Sequence, residues 1–324
     1  MATESLRARI APLFARGVRR STRVAVEHEL ITVDRRTGGA VAPDRVRTAT
    51  RGAWYAPYLG FEPGGQVELS LPCAPGPVEL TADLCRSVAA LRSDCAAAGI
   101  RLEATPVDVR PVDALPLQLT TSRYLAMQQH LDTIGPAGRR MMRATASTQV
   151  CLDWWPGAAG AEQWRVLLLG GPFLAAAFAR SVGPCSRLAT WLAVDPGRTA
   201  FDDRLLRGDD PVAAYTELAA GATMFVDGVD EHLTTLFPPV RPRGRYLEIR
   251  FLDVQPELEA GAAVAALAAL LYDDACRTRA LAILEPESAR LGEHWMSAAL
   301  GDPAVVERGV ALADLAGVTT PSAA

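Results

Sequence analysis

No lysine occurs anywhere in the chain, so all 33 basic residues are arginine. That absence removes several chemistries at once: no Walker A lysine, no Schiff-base lysine and no serine–lysine dyad can be built. A phosphate handled by this protein must be held by arginine, metal and backbone amides. The Ala- and Arg-rich, lysine-free composition also points to a GC-rich bacterial genome. A cysteine framework is missing too. Cys73, Cys85, Cys95, Cys151, Cys185 and Cys276 are scattered without a CxxC pair, which argues against a zinc site or disulfide scaffold and for the cytoplasm. Cys85 and Cys95 fall in an amphipathic helix pattern and read as buried thiols. No apolar run is long enough to span a membrane, and the opening MATESLRARIAPLFARG reads as a short amphipathic helix rather than a cleaved signal. A net charge of -4 leaves no basic stripe for nucleic acid.

What is present is a chain of 324 residues, 49% hydrophobic and 22% charged, the profile of a soluble globular protein. It shows no internal repeat and no linker, and reads as one domain over 1–324, helical from about 256 to 317. Its most informative stretch is GRYLEIRFLDVQP, residues 244–256. Alternation puts Leu247, Ile249 and Phe251 on one strand face and Glu248 and Arg250 on the other. A surface ion pair on an edge strand explains that pattern equally well for this segment alone. On that solvated face, neutralising Glu248 is expected to leave the fold intact.

Three other segments repeat the arrangement. Residues 22–33, TRVAVEHELITV, place Glu27 and Glu29 on one face of a strand and Val24, Val26, His28 and Leu30 on the other. FEPGGQVELSLP, residues 61–72, makes a Gly64–Gly65 turn and then presents Gln66, Glu68 and Ser70 together, with Glu62 just before the turn. Residues 141–154 end as a strand with Gln149, Cys151 and Asp153 on one face. The spacing predicts helices over 77–99, 121–131, 161–180, 211–225 and 257–280, and a strand over 100–107. Residues 35–57 read as a loop or hairpin, and 181–210 as the least ordered part of the chain.

If these strands share one antiparallel sheet with helices on the opposite face, the fold is α+β with a polar face rich in carboxylates. Carboxylates gathered there need cations among them. Oxygen ligands without His or Cys partners indicate Mg²⁺ or Mn²⁺ rather than zinc. Mg²⁺ commonly keeps substrate phosphates in its shell, so a nucleoside triphosphate is the natural companion. Arg123, Arg241 and Arg250 are then candidates for phosphate and carboxylate clamps.

The motifs VAVEHE (24–29), EPGGQVELS (62–70), MMRATASTQVCLD (141–153) and HLTTLFPPVRPRGRYLEIRFLD (232–253), with SRYLAM (122–127), resemble those of the plant-type glutamate–cysteine ligases. Within that family they resemble the actinobacterial branch that opens ergothioneine biosynthesis. The likeness runs from about residue 22 to 275 with the motifs in order. It implies a six-stranded antiparallel sheet forming a funnel, of the kind shared with glutamine synthetase, with helices on its outer face. It also implies ATP, Mg²⁺ and a γ-glutamyl phosphate attacked by an amine. Carried over position by position, Glu27, Glu29, Glu62, Glu68, Gln149 and Glu248 correspond to the metal shell. Glu248 and Arg250 are the catalytic pair, Arg250 clamping the phosphate. Arg123, Arg187, Arg198, His232, Thr234, Arg241 and Arg250 are the implied substrate and nucleotide contacts.

The chain departs from the family in two places. Where relatives carry NSPxxxGxxxGxxSxRxxxW, this sequence has RSVGPCSRLATWLAVDPGRTAF over 180–201, and an ungapped reading puts Asp195 where the SxR arginine belongs. Residues 226–231 also bridge directly a stretch that is longer and aromatic-rich in the family. The resemblance therefore implies glutamate and cysteine as substrates. A different amino acid or amine in a specialised-metabolite pathway, and an inactive nucleotide-binding homologue, are the alternatives the altered segment leaves.

Overall fold

Strand β1, Val24–Asp34, is the spine of the molecule, and the computed structural model describes residues 3–320 around it. Its β-branched residues favour extended backbone, and its 11 residues are long enough to pair differently at each end. The first half pairs antiparallel with β3 (Val67–Ser70) on one side and β5 (Thr148–Asp153) on the other. The second half pairs with β4 (Ile100–Glu103). β2 (Leu59–Phe61), β6 (Val240–Pro242) and β7 (Tyr246–Ile249) complete an antiparallel sheet in the order β2-β3-β1-β5-β7-β6, with β4 off that path. Among the described residues the sheet thus has seven strands where the resemblance implies six.

Residues directly opposite in an antiparallel pair share a face. The register sets Glu29 against Glu68, Glu27 against Gln149, and Glu248 against both Cys151 and Arg241. The other face carries Val24, Val26, His28, Leu30, Leu69, Val150, Leu152, Leu247 and Ile249, all buried. Helices Pro77–Ala97 and Glu257–Tyr272 pack against each other and against strands of this sheet. Behind them runs the almost wholly buried helix Gly157–Ala177, crossed by Pro303–Leu315.

Three local readings change. Residues 35–57 hold a helix, Pro43–Ala49, started by Pro43 and seated by the buried Val46. Residues 181–210 hold helices Arg187–Leu192 and Pro196–Thr199 and a 3₁₀ turn, Asp203–Leu206. The Gly/Pro/Asp content read as disorder is capping chemistry: Ser186, Asp195 and Asp202 each accept a backbone N–H at the start of one of these turns. The helix expected over 257–280 breaks at Asp273, whose carboxylate caps a second helix, Asp274–Leu284, through Cys276 N at 2.8 Å.

The crossing of Pro303–Leu315 over Gly157–Ala177 depends on Gly309. A Cβ there would stand 2.0 Å from the Phe173 carbonyl oxygen. Gly309→Ala is expected to lower the unfolding free energy by about 1–3 kcal/mol, the usual cost of overpacking. Urea midpoints of the two proteins measure it directly, and an unchanged midpoint would mean the helices separate freely there.

Candidate active site

The carboxylate face of the sheet opens into a cavity of about 830 Å³, counting its mouth, whose walls fall into three chemical zones. At one end Glu29, Glu62 and Glu68 converge, each offering an oxygen within 4.8 Å of the others. Glu29 is fixed by donors: Ser147 N at 2.7 Å, Ser147 Oγ at 2.8 Å and Gln149 Nε2 at 3.0 Å. Ser70 Oγ donates to Glu68 at 2.6 Å. Glu62 arrives from the turn before β3, where Gly65 takes φ +87° and its N–H bonds the Glu62 carbonyl at 2.8 Å.

At the other end the charge inverts. Glu248, 1% exposed, accepts from Arg241 at 3.2 Å, from Arg243 Nε at 2.5 Å and from Arg250. Arg250 also reaches Gln149 Oε1 at 2.5 Å, so Gln149 bridges the acidic and basic ends by its two amide atoms. The third zone is apolar. Tyr124, Met127, Met141, Met142, Trp191 and Phe237 close the cavity opposite the sheet, and the Arg187 and Arg250 guanidinia lie over the Trp191 ring.

The two ends titrate in opposite directions. Burial, then the charges of Glu248 and Glu68, push Glu27 up to about 7. Burial and neighbouring carboxylates likewise raise Glu29 and hold Glu62 well above the usual carboxylate range. Burial would also raise Glu248, but Arg241, Arg250 and Arg243 overrule it and hold it below that range. The acidic end is short of positive charge, and its all-oxygen donor set fits a hard divalent cation.

The cavity gathers Glu27, Glu29, Glu62, Glu68, Gln149, Glu248, Arg123, Arg187, Thr234, Arg241 and Arg250. Two expected contacts lie elsewhere. Arg198 is 0% exposed and spent on Asp195 at 2.9 Å and Thr235 Oγ1 at 2.8 Å, holding short helices together. His232 is 1% exposed, with Nε2 on the Ala219 carbonyl at 2.8 Å. Neither lines the cavity, and both are corrected to interior packing roles. The ungapped reading of 180–201 is corrected as well. Asp195 pairs with His130 and Arg198 outside the cavity, while Arg187 and Trp191, spaced as in RxxxW, stand in its wall. Glu248 is not a solvated strand residue but the most buried carboxylate of the site. Sequence reading missed Arg243, Ser147 and Gln66; Arg243 had a usable signal, lying in the same RPR tripeptide as Arg241.

The family model for glutamate–cysteine ligase family 2 (GCS2) matches residues 23–299. A glutamate–cysteine ligase EgtA of Mycolicibacterium smegmatis is 35% identical over 75% of this chain and 68% of its own length. The EgtA protein of Mycobacterium tuberculosis H37Rv is 31% identical over 72% of this chain and 65% of its own length. A chloroplastic glutamate–cysteine ligase of Arabidopsis thaliana is 28% identical over 67% of this chain and 49% of its own length. The chain thus spans about two thirds of the mycobacterial relatives and half of the plant one. Among solved structures, a bifunctional glutathione synthetase from Pasteurella multocida aligns with TM-score 0.47 and 11% identity, over 96% of this chain and 46% of that one.

Two outcomes follow from the electrostatics. Glu248→Gln leaves three arginines around a neutral amide in a buried site, and is expected to cost about 3–5 kcal/mol in urea unfolding; a loss under 1 kcal/mol would show the arginines re-pair with water. The raised carboxylates Glu27, Glu29 and Glu62 keep protons in the folded state that the unfolded chain has already released, for Glu27 between its ordinary 4.5 and about 7. Stability without cation should therefore fall as pH rises through that window, and a cation taking these oxygens must expel the protons. The rise in melting temperature on adding Mg²⁺ or Mn²⁺ should be larger at about pH 8 than at about pH 6. Equal shifts would place the cation elsewhere.

Proposed function

The chain belongs to glutamate–cysteine ligase family 2, and from that membership we propose that it is an ATP- and Mg²⁺-dependent ligase joining the γ-carboxylate of glutamate to the amine of cysteine. One observation carries the reading: a cluster of three carboxylates lacking cationic partners and a fan of three arginines face each other across one cavity. Transfer of a phosphoryl group to a carboxylate needs both. Glu29, Glu62 and Glu68 would hold the cation, which when bound screens phosphate from carboxylate. Arg250, Arg241 and Arg243, held in place by Glu248, supply fixed donors for the equatorial oxygens of the transferring group.

The substrate carboxylate oxygen bonds the terminal phosphorus, nucleoside diphosphate leaves, and an acyl phosphate remains. The amine then attacks its carbonyl carbon, phosphate leaves and an amide forms. Trp191, Phe237 and Met142 cover the cavity opposite the sheet, which keeps water from the acyl phosphate. Arg187 and Trp191 in the cavity wall support an active ligase over an inactive homologue. The short 226–231 bridge supports a second reading, the same chemistry with another amino acid or amine.

ADP release by the purified protein, assayed with a panel of acids and amines, is the test. Release over many turnovers is expected only with divalent cation, an acidic amino acid and an amine together, since the acyl phosphate formed in the first step waits for the amine. ADP formed equally without acid or amine would overturn the ligase reading. Arg250→Lys keeps the charge but loses the planar fork, and should lower kcat by about 10²–10³ with a much smaller change in KM for ATP. An effect confined to KM would make Arg250 a positioning residue only.

A further inference from the structure

Asp253 follows β7 and Arg250 in the chain and is 5% exposed, yet no arginine side chain satisfies it. Its main chain pairs with Ser147, the residue that donates to Glu29. Its carboxylate turns to a different segment. Oδ2 accepts from Arg180 N at 3.0 Å, Ser181 N at 2.9 Å and Ser181 Oγ at 3.0 Å. With its proton on the carboxylate, the Ser181 hydroxyl accepts from Arg187 N at 3.1 Å, where helix Arg187–Leu192 begins. The Arg187 guanidinium then returns to the strand end, donating to the Arg250 carbonyl at 3.0 Å and the Phe251 carbonyl at 3.4 Å. The contacts close a ring from Arg250 through Asp253, Ser181 and Arg187 back to Arg250.

We propose that Asp253 is a positioning residue: through Ser181 it holds Arg187 in the cavity wall, and so sets the affinity for the acidic amino acid. The inference rests on the ligase reading and adds two residues that reading does not use. A helix of six residues has little stability of its own, so contacts outside it decide where it stands. Its Arg187 and Trp191 both line the cavity, and the Arg187 and Arg250 guanidinia lie 5.4 and 6.0 Å from the Trp191 ring centroid. Moving the start of this helix therefore moves the wall against the phosphate end. Arg187 also differs from the arginine fan. Arg241, Arg243 and Arg250 share Glu248, whereas among the described residues the buried Arg187 guanidinium bonds only main-chain carbonyls. A buried cation without an ion partner favours an anion beside it. With the phosphate met by the fan, the anion left to supply is the second carboxylate of the acidic amino acid.

The test is the KM for L-glutamate and for ATP, measured separately by ADP release with Mg²⁺ and cysteine present. Asp253→Ala is expected to raise the glutamate KM by about tenfold or more, the worth of one hydrogen bond to a charged group, with the ATP KM within about twofold of wild type. Asp253→Asn keeps an oxygen for the same donors and should stay within about threefold for both. Ser181→Ala cuts the link to Arg187 while Asp253 keeps its two main-chain donors, and it carries the measurement if Asp253→Ala fails to fold. It should raise the glutamate KM by about three- to tenfold. In an Arg187→Met background the same Ser181→Ala change should add less than about twofold, because the residue it acts through is gone. If Asp253 and Ser181 only stabilise the fold, kcat falls with the folded fraction and neither KM moves, which overturns the proposal. A rise shared equally by ATP, or one that persists in the Arg187→Met background, overturns it too. Wild-type protein that releases ADP without any acid overturns the ligase reading and this inference with it. Acid-dependent release without the KM split in the variants overturns this inference alone.

Discussion

One buried carboxylate holds the basic half of the cavity together. Glu248 contacts Arg241 from the neighbouring strand, Arg243 from the hairpin end and Arg250 two residues on. Three guanidinia this close repel one another, and Arg241 is lowered to about 10 by burial and by Arg250. Only the shared anion makes the cluster tolerable. The acidic half has no such counterweight. Its carboxylates crowd across β1 because antiparallel pairing sets Glu29 against Glu68. The sheet therefore spends its stability on charge separation, and the hydrophobic face behind it, with the helices it buries, must supply the surplus.

How much of this was legible depends on the kind of order involved. Period-two alternation placed Glu27, Glu29, Glu68, Gln149 and Glu248 on one face, because a strand converts sequence parity directly into side of sheet. It said nothing of depth. Glu248 has the same parity as a surface residue, and only the three arginines converging from separate positions show that it is buried. Residues 180–201 misled for a related reason. An ungapped reading keeps sequence spacing, whereas the structure keeps Arg187 and Trp191 in the cavity wall and turns Asp195 away from it. Arg198 and His232 carry polar side chains in suggestive places, yet short helices bury them as internal ties.

Helix boundaries were missed where polar residues act as caps. Asp195, Asp202 and Asp273 each look like loop formers in isolation. Each in fact starts a helix by accepting a backbone N–H. Gln66 was legible as a face residue, but its tie to the Thr145 carbonyl was not. That is a property of three-dimensional bookkeeping, invisible to any pattern of residue types.

The arginine-only wall has a chemical consequence beyond holding phosphate. An acyl phosphate is an acylating agent that reacts with any free amine in reach, and side-chain amines are the usual casualties of such species in proteins. Here Arg123, Arg187, Arg241, Arg243 and Arg250 surround the cavity, and guanidinium groups that stay protonated carry no nucleophilic lone pair. With no lysine in the chain, no side-chain amine exists to be self-acylated. An activated carboxylate formed in this cavity would meet no side-chain amine of the protein, which leaves the amines that the substrates themselves bring.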